Sequence, residues 1–242
     1  MSKENKQLIL IVGETSTGKS ASLRNIPDQE KWWYANFESG KNLPFRNKFK
    51  KKVFTDPQEL FPVFNLLNAS PEVVGVIVDS LTFMMEMYES VHVLTAANKL
   101  TAWGDFQQFF KGLMQQFVSV TDKTVIFTAH TKETTDAYGN LCRTVPVKGA
   151  LKDNGIEAYF SCIIATKRMR ISELEKQTKT PLLNITDQER ALGYKHVFQT
   201  LPTAQTVGER IRSPMDMWLP SETFIDNDVQ LVLQRLNEYY KE

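Results

Sequence analysis

The sequence predicts an α/β fold with a mostly parallel central sheet and helices on both faces. Five continuous apolar runs indicate strands that are buried on both sides, and the segments between them have the 3.6-residue period of amphipathic helices. This alternation is typical of repeated βαβ units. The predicted strands cover residues 8–12, 32–37, 73–78, 124–128 and 159–165.

The predicted helices lie between these strands, over residues 19–26, 57–68, 81–97 and 102–121. The last of them has a stripe of aromatic and aliphatic residues at three- and four-residue spacing, which indicates a core-facing side. Beyond residue 170 the strand pattern weakens. We predict a last strand or hairpin arm at 196–201 and an amphipathic helix at 228–240.

The length and composition are those of an ordinary globular chain. With 242 residues, we predict a single domain over 1–242, with a core at 1–170 and an extension at 171–242 that packs on it. The net charge of +1 excludes a global field that attracts nucleic acid, so any such contact must come from a local patch.

Cys142 and Cys162 form no CxxC pair, which argues against disulfides and zinc and favours a reducing compartment. No apolar run approaches the length of about 18 residues that would span a membrane, and we expect a cytoplasmic protein with no membrane partner.

Residues 13–20, Gly-Glu-Thr-Ser-Thr-Gly-Lys-Ser, match the phosphate-binding pattern G-x-x-x-x-G-K-[ST]. The match lies between a predicted strand and a predicted helix, where backbone N–H groups and the helix dipole favour an anion. A glycine-rich turn that binds nothing is the alternative, which this context disfavours. We therefore predict ATP and Mg²⁺ as cofactors, with Lys19 on the β- and γ-phosphates and Ser20 on the metal. The residues predicted to contact the nucleotide are Gly13, Glu14, Thr15, Ser16, Thr17, Gly18, Lys19, Ser20 and Ala21.

Asp79 ends the apolar run 73–78 and is the candidate second acid of the Mg²⁺ site. Its alternative role is a helix N-cap for 81–97, a task that Ser80 would share. Since the residue after Asp79 is Ser80 and not Glu, the group that activates water must lie elsewhere.

Glu38 is the candidate for orienting the attacking water, because it directly follows the predicted strand 32–37. Glu14, inside the phosphate-binding loop, is the rival. His130 follows the predicted strand 124–128 closely and is the candidate sensor of the γ-phosphate, with a purely structural histidine as the alternative. The predicted catalytic set is therefore Lys19, Glu38, Asp79 and His130.

Four motifs together resemble the RecA-like P-loop ATPases, and more narrowly the phage single-strand annealing proteins of the Sak type. They are residues 13–20, 36–38, 76–82 and 125–130, and they stand in that family's order. A further stretch, Phe-Gln-Thr-Leu-Pro-Thr-Ala at 198–204 followed by Glu-Arg-Ile-Arg at 209–212, is similar to the C-terminal segment of phage nucleotide-binding proteins. The resemblance implies an ATPase that binds single-stranded DNA and promotes annealing or recombination, in the host cytoplasm if phage-encoded. Since seven residues precede the first predicted strand, we expect no N-terminal polymerisation element.

Two segments are candidates for nucleic-acid contact. The run at 46–52 holds five positive charges, and Phe45, Phe49 and Phe54 are interleaved with it, which suits phosphate contact with base stacking. The second segment is the predicted loop 131–152, which in RecA-like proteins faces DNA. It holds Lys132, Arg143, Lys148 and Lys152, together with Tyr138, Gly139 and Gly149. A solvated surface is the alternative for both. The predicted contacts are Lys48, Lys50, Lys51, Lys52, Lys132, Arg143 and Lys148.

A cation supplied by a neighbouring subunit would complete such an ATP site, which implies a homo-oligomer. The candidates are Lys167, Arg168 and Arg210, with Arg212 beside the last, and ordinary surface charges are the alternative. A single-strand-binding protein is a possible further partner. The competing functions are an assembly or regulatory ATPase that acts on a protein partner without DNA and, less favoured, a small-molecule kinase, since 170–190 lacks an arginine-rich lid.

Overall fold

The computed structural model describes residues 7–135, 139, 141–149, 151, 155–177 and 179–241. Within them, the main element is an eight-stranded sheet with the strand order β10-β9-β8-β1-β5-β4-β2-β3. The strands are β1 (Leu8–Gly13), β2 (Trp32–Asn36), β3 (Lys50–Val53), β4 (Gly75–Asp79), β5 (Thr124–His130), β8 (Cys162–Arg170), β9 (Tyr194–Gln199) and β10 (Phe224–Asp226). A separate antiparallel hairpin consists of β6 (Lys132–Thr135) and β7 (Leu141–Thr144).

The six strands from β8 to β3 are parallel to their neighbours, and only β9 and β10 at one edge are antiparallel. The α/β prediction with a mostly parallel sheet is therefore confirmed. In this order the carboxyl ends of β1, β2, β4 and β5 meet at one edge of the sheet. Polar residues that follow these strands are brought together there.

Helices cover both faces of the sheet, as predicted. They are α1 (Leu60–Ala69), α2 (Leu81–Tyr88), α3 (Lys99–Gly112), α4 (Ile171–Leu174), α5 (Asp187–Leu192) and α6 (Val229–Tyr239). Two of the predicted helices continue as π-helical turns, α2 into Glu89–Val93 and α3 into Leu113–Val118. The segment after the phosphate-binding loop is a 3-10 helix, Ser20–Asn25.

The core forms two apolar layers because side chains alternate along each buried strand. Leu10, on one face, joins a cluster with residues of α1, α2 and α3, among them the aromatic stripe of α3. Ile9 and Ile11, on the other face, pack with Val232 and Leu236 of α6. The continuous apolar pattern of β1 thus reports burial on both sides.

Two segments that the sequence did not assign to strands contain strands. Part of the basic run at 46–52, for which a solvated surface was the alternative, forms the edge strand β3, which pairs in parallel with β2. Lysines on an edge strand discourage pairing with a further strand. The predicted loop 131–152 contains the β6–β7 hairpin, while Tyr138 and Lys152 lie outside the described residues.

Among the described residues, no helix is both long and apolar enough to cross a membrane.

The two cysteines differ in burial, which predicts different reactivity. Burial raises the pKa of the Cys162 thiol to about 12, whereas Cys142, on β7, is half-buried. Because the thiolate is the reactive form, a disulfide reagent at about pH 8 should modify Cys142 rapidly and Cys162 only on unfolding. The fast phase should disappear in Cys142→Ser. Two equally fast thiols in the folded protein would contradict this prediction.

Candidate nucleotide-binding site

The phosphate-binding loop follows β1 and wraps around the side chain of Lys19. The Lys19 Nζ donates hydrogen bonds to the carbonyls of Gly13 at 2.9 Å and Glu14 at 2.8 Å. Lys19 is buried, and this burial lowers its pKa to about 8, with the Asp79 and Glu38 carboxylates acting in the opposite direction. Any anion that enters the loop would therefore stabilise the charged form of this buried lysine.

Ser20 and Asp79 meet directly, although 59 residues separate them in sequence. The Ser20 Oγ donates to the Asp79 Oδ2 at 2.8 Å. The same Oδ2 accepts from the Tyr34 hydroxyl at 2.7 Å, and the Asp79 Oδ1 accepts from the Thr128 hydroxyl. Asp79 is 1% exposed. Three hydroxyl donors therefore compensate the buried carboxyl group and fix its orientation.

This pair fits a Mg²⁺ ion. No cluster of three or more acidic, histidine or cysteine ligands exists among the described residues. Mg²⁺ usually takes one or two protein oxygens and completes its shell with phosphate oxygens and water. The N-cap of α2 is Ser80, and its side chain makes no capping hydrogen bond; Asp79 lies outside the helix. The structure thus gives no support to the cap-only alternative for Asp79.

Glu38 and His130 lie beside Lys19 on the same side of the loop. The His130 Nδ1 is 3.3 Å from the Lys19 Nζ, and the His130 Nε2 is 3.6 Å from the Glu38 Oε1. An ammonium only donates, so Nδ1 accepts and the ring proton is assigned to Nε2. The buried Nε2 has no hydrogen-bond partner among the described residues, because 3.6 Å is too long. This leaves a buried donor that faces the Glu38 carboxylate.

Polar contacts hold Glu38 as a carboxylate. His130 is the largest cause and Lys41, whose Nζ lies 2.9 Å from the Glu38 Oε2, adds to it; burial opposes them, and the pKa of Glu38 falls to about 2. The Asn36 side chain accepts from the Glu38 backbone N–H at 2.9 Å and orients the turn after β2. A carboxylate with so low a pKa is a weak proton acceptor at neutral pH, so it suits the orientation of a water molecule.

Glu14, the rival of Glu38, lies on the opposite side of the loop. Its carboxylate is 3.2 Å from the Arg143 Nη2 of β7. Together with Lys167 and Arg210 it lines a cavity of about 240 Å³. Glu14 is not among the described residues that line the cavity around Glu38 and His130.

A separate cavity, of about 570 Å³, lies around Lys19 and is large enough for a nucleotide. It is lined by Lys19, Ser20, Glu38 and His130, and also by Tyr34 and by residues of the C-terminal part of the chain, including Lys195, His196 and Asn227. Several of these side chains were missed in the sequence. Tyr34 and Thr128 occur within apolar strand runs, and His196 and Asn227 belong to no motif, so no local signal marks them.

The candidate nucleic-acid contacts differ in their partners. Lys52 pairs with Glu59 at 2.7 Å and Lys148 with Glu89 at 2.7 Å, while Arg143 lies between Glu14, Glu133 and Glu209. The Lys51 Nζ donates to the backbone carbonyl of Gly40 at 3.3 Å. Lys48, Lys50 and Lys132 are exposed.

The interleaved phenylalanines do not support base stacking. Phe49 is 7% exposed and Phe54 is 1% exposed, and Phe45 packs partly buried against the same core layer as Phe49. The prediction that the three rings stack on bases is therefore wrong for the two buried rings. Their hydrophobic contacts hold β3 and its preceding segment on the sheet.

The candidate trans-acting cations differ in exposure and in their contacts within the chain. Lys167 is bound to Glu209 within the chain, and burial lowers its pKa. Arg168 is exposed and lies over the Tyr194 ring at 5.7 Å. Arg210 is exposed, and Arg212 donates to the Glu157 carbonyl.

No protein-family model matches this chain, and no curated protein matches it significantly. Among solved structures, a KaiC-like protein of the hyperthermophilic archaeon Pyrococcus horikoshii OT3 is similar over 84% of this chain and 82% of its own, at 12% sequence identity and a TM-score of 0.47. A likeness at this level supports no argument about function. The description of the fold rests on the strand order and on the loop between β1 and the 3-10 helix.

Removal of the Tyr34 hydroxyl should destabilise the protein measurably. Tyr34→Phe takes one donor from the buried Asp79 carboxylate, and a hydrogen bond to a charged group contributes about 1.5–3 kcal/mol. Denaturant unfolding of the ligand-free protein measures the loss. The control is Tyr159→Phe, because the Tyr159 hydroxyl donates no hydrogen bond to any described residue. Equal stability of the two variants would contradict the role assigned to Tyr34.

Proposed function

We propose that this chain is a Mg²⁺-dependent RecA-like ATPase whose hydrolysis is coupled to single-stranded DNA, in annealing or recombination of the phage type. The observation that carries the ATPase part is the 2.8 Å hydrogen bond between Ser20 and Asp79, in a cavity that Lys19, Glu38 and His130 also line. Each of these residues has the chemistry that one part of phosphoryl transfer to water needs.

The bound ATP would lie with its phosphates in the loop, where Lys19 and backbone N–H groups compensate their charge. Ser20 and Asp79 would hold Mg²⁺, which supplies further compensation of phosphate charge. Glu38 orients a water molecule in line with the γ-phosphorus. The water oxygen bonds to phosphorus as the bond to the β–γ bridging oxygen breaks. The proton of the water passes to a phosphate oxygen and then to solvent, which leaves ADP and phosphate. His130, which lies between Lys19 and Glu38, senses the γ-phosphate and distinguishes ATP from ADP.

The DNA part rests on the order of the four motifs and on the β6–β7 hairpin. The hairpin directly follows His130, and its Arg143 reaches Glu14 of the phosphate-binding loop. A change at the γ-phosphate therefore has a short physical route to the hairpin. Of the basic residues, Lys48, Lys50 and Lys132 are exposed and suit phosphate contacts. A homo-oligomer, with Arg168 or Arg210 reaching a neighbouring site, belongs to the same proposal.

A protein-directed regulatory or assembly ATPase is the second candidate. The ion pairs of Lys52, Arg143 and Lys148 with carboxylates of the same chain favour it, because paired cations contribute less to phosphate binding. The near-neutral net charge points the same way.

Variants of the two rival carboxylates separate binding from hydrolysis. Glu38→Gln should keep ADP affinity near the wild-type value and lower kcat by about 10²-fold or more, because the water loses its orienting carboxylate. Lys19→Ala should lose both nucleotide binding and hydrolysis. Calorimetry and phosphate release measure the two properties. If Glu14→Gln abolishes hydrolysis while Glu38→Gln keeps it, the roles assigned to the two residues are wrong.

The DNA coupling predicts that single-stranded DNA stimulates Lys19-dependent hydrolysis. Binding should weaken with salt, by a slope of about 0.7 per phosphate contact. Replacement of the exposed Lys48 and Lys50 by alanine should reduce that slope by about one to two, whereas Lys52→Ala, which removes a lysine already paired with Glu59, should change it less. Hydrolysis that depends on Lys19 but is indifferent to DNA would favour the protein-directed ATPase.

A further inference from the structure

Two side chains from the C-terminal part of the chain hold successive carbonyls of the phosphate-binding loop. The His196 Nδ1, on β9, lies 2.9 Å from the Thr17 carbonyl oxygen. The Asn227 Nδ2, between β10 and α6, donates to the Gly18 carbonyl oxygen at 2.9 Å. Since a carbonyl only accepts, His196 Nδ1 is the donor in its pair. Neither residue belongs to the G-x-x-x-x-G-K-[ST] motif.

The planarity of the peptide bond gives these contacts a consequence inside the loop. The Thr17 carbonyl shares a peptide plane with the Gly18 N–H, and the Gly18 carbonyl shares one with the Lys19 N–H. In a trans peptide the carbonyl and the N–H point in opposite directions. A hydrogen bond that fixes one carbonyl from outside therefore fixes the direction of the N–H on the other side of the plane. Those two N–H groups are donors of the phosphate cradle.

The Asn227 and His196 side chains both lie close to Gly18. Gly18 has a φ of +104°, and a Cβ atom there would lie 2.5 Å from the Asn227 Nδ2 and 3.4 Å from the His196 Nδ1. The two side chains thus pack against the glycine itself and leave no space for a larger residue. The second glycine of the motif serves this packing as well as the backbone conformation.

Asn227 is itself held in place by its neighbours. It is 5% exposed, and its backbone carbonyl accepts from the Arg24 Nη1 at 2.7 Å. The adjacent Asp228 caps α6 through the Gln230 N–H at 3.0 Å and accepts from the Asn25 Nδ2 at 2.6 Å. The start of α6 is therefore tied to the 3-10 helix that follows the loop, so the position of Asn227 is set by the packing of α6 on the sheet.

We propose that His196 and Asn227 are positioning residues that orient the Gly18 and Lys19 N–H groups toward the phosphates of the nucleotide. This inference rests on the proposed nucleotide binding and extends it, because it makes the C-terminal part of the chain a component of the phosphate site. The hydroxyl pair between Thr17 and Thr166 of β8 also supports the loop.

The test compares binding of ADP and of inorganic pyrophosphate, which has no base or ribose. His196→Leu and Asn227→Leu remove the N–H donors without adding charge. Calorimetry in excess Mg²⁺ should show both ligands weakened about tenfold, by the same factor, as expected for a lost orienting hydrogen bond. His196→Asn, which keeps an N–H near the position of Nδ1, should restore most of the affinity. Gln234→Leu, at an exposed position of α6, is the matched control.

The outcomes separate this inference from the proposed function. If wild-type protein binds ADP and the two leucine variants bind it equally well, the positioning role is overturned. A loss for ADP without a loss for pyrophosphate would also overturn it, since the side chains would then act on the base or ribose. If wild-type protein binds neither ligand, both the proposed ATPase function and this inference are overturned. If Asn227→Leu does not fold, the comparison of His196→Leu with His196→Asn decides the matter.

Discussion

The hydrogen bond between Ser20 and Asp79 requires that two strands far apart in sequence end at the same edge of one sheet. β1 leads into the loop that carries Ser20, and β4 ends at Asp79. Because β5 lies between them and all three run parallel, their carboxyl ends converge. The remaining groups of the site follow from the same arrangement. Glu38 comes after β2 and His130 ends β5, so each reaches the cavity from its own strand.

This convergence places several ionisable groups in a small, poorly solvated volume, and their interactions decide what each can do. The low pKa of Glu38 and the lowered pKa of Lys19 have different causes, polar contacts in the first case and burial in the second. Glu38 is kept ionised, and an anion that enters the loop would stabilise the charged form of Lys19. The hydroxyls of Tyr34 and Thr128 compensate Asp79 without adding charge.

The C-terminal strands and α6 complete the loop from outside. β9 and β10 extend the sheet beyond β8 with antiparallel pairing, and α6 covers the face that carries Ile9 and Ile11. Their packing brings His196 and Asn227 to the carbonyls of Thr17 and Gly18. The loop therefore depends on a part of the chain that the local sequence pattern describes poorly.

The buried strands, the phosphate-binding loop and the position of Asp79 were predictable from the sequence because each depends on a local pattern. A strand buried on both faces requires a continuous apolar run, and a phosphate loop requires glycines and a lysine at set spacing. β3 was not predictable in this way, since three of its four residues are lysines and only pairing with β2 makes it a strand. The burial of Phe49 and Phe54 beside those lysines has the same origin.

What only the tertiary structure decided is which side chains meet. The sequence by itself determined that Glu38 and Glu14 were both available near the phosphates; the fold turns Glu38 toward His130 and Glu14 toward Arg143. It likewise pairs Lys148 with Glu89 and Arg143 with Glu14, carboxylates that are distant in the chain. Such choices depend on distances across the sheet and its loops, which no periodicity or spacing encodes, because a hydrogen bond or ion pair forms only between groups that packing has already brought within reach.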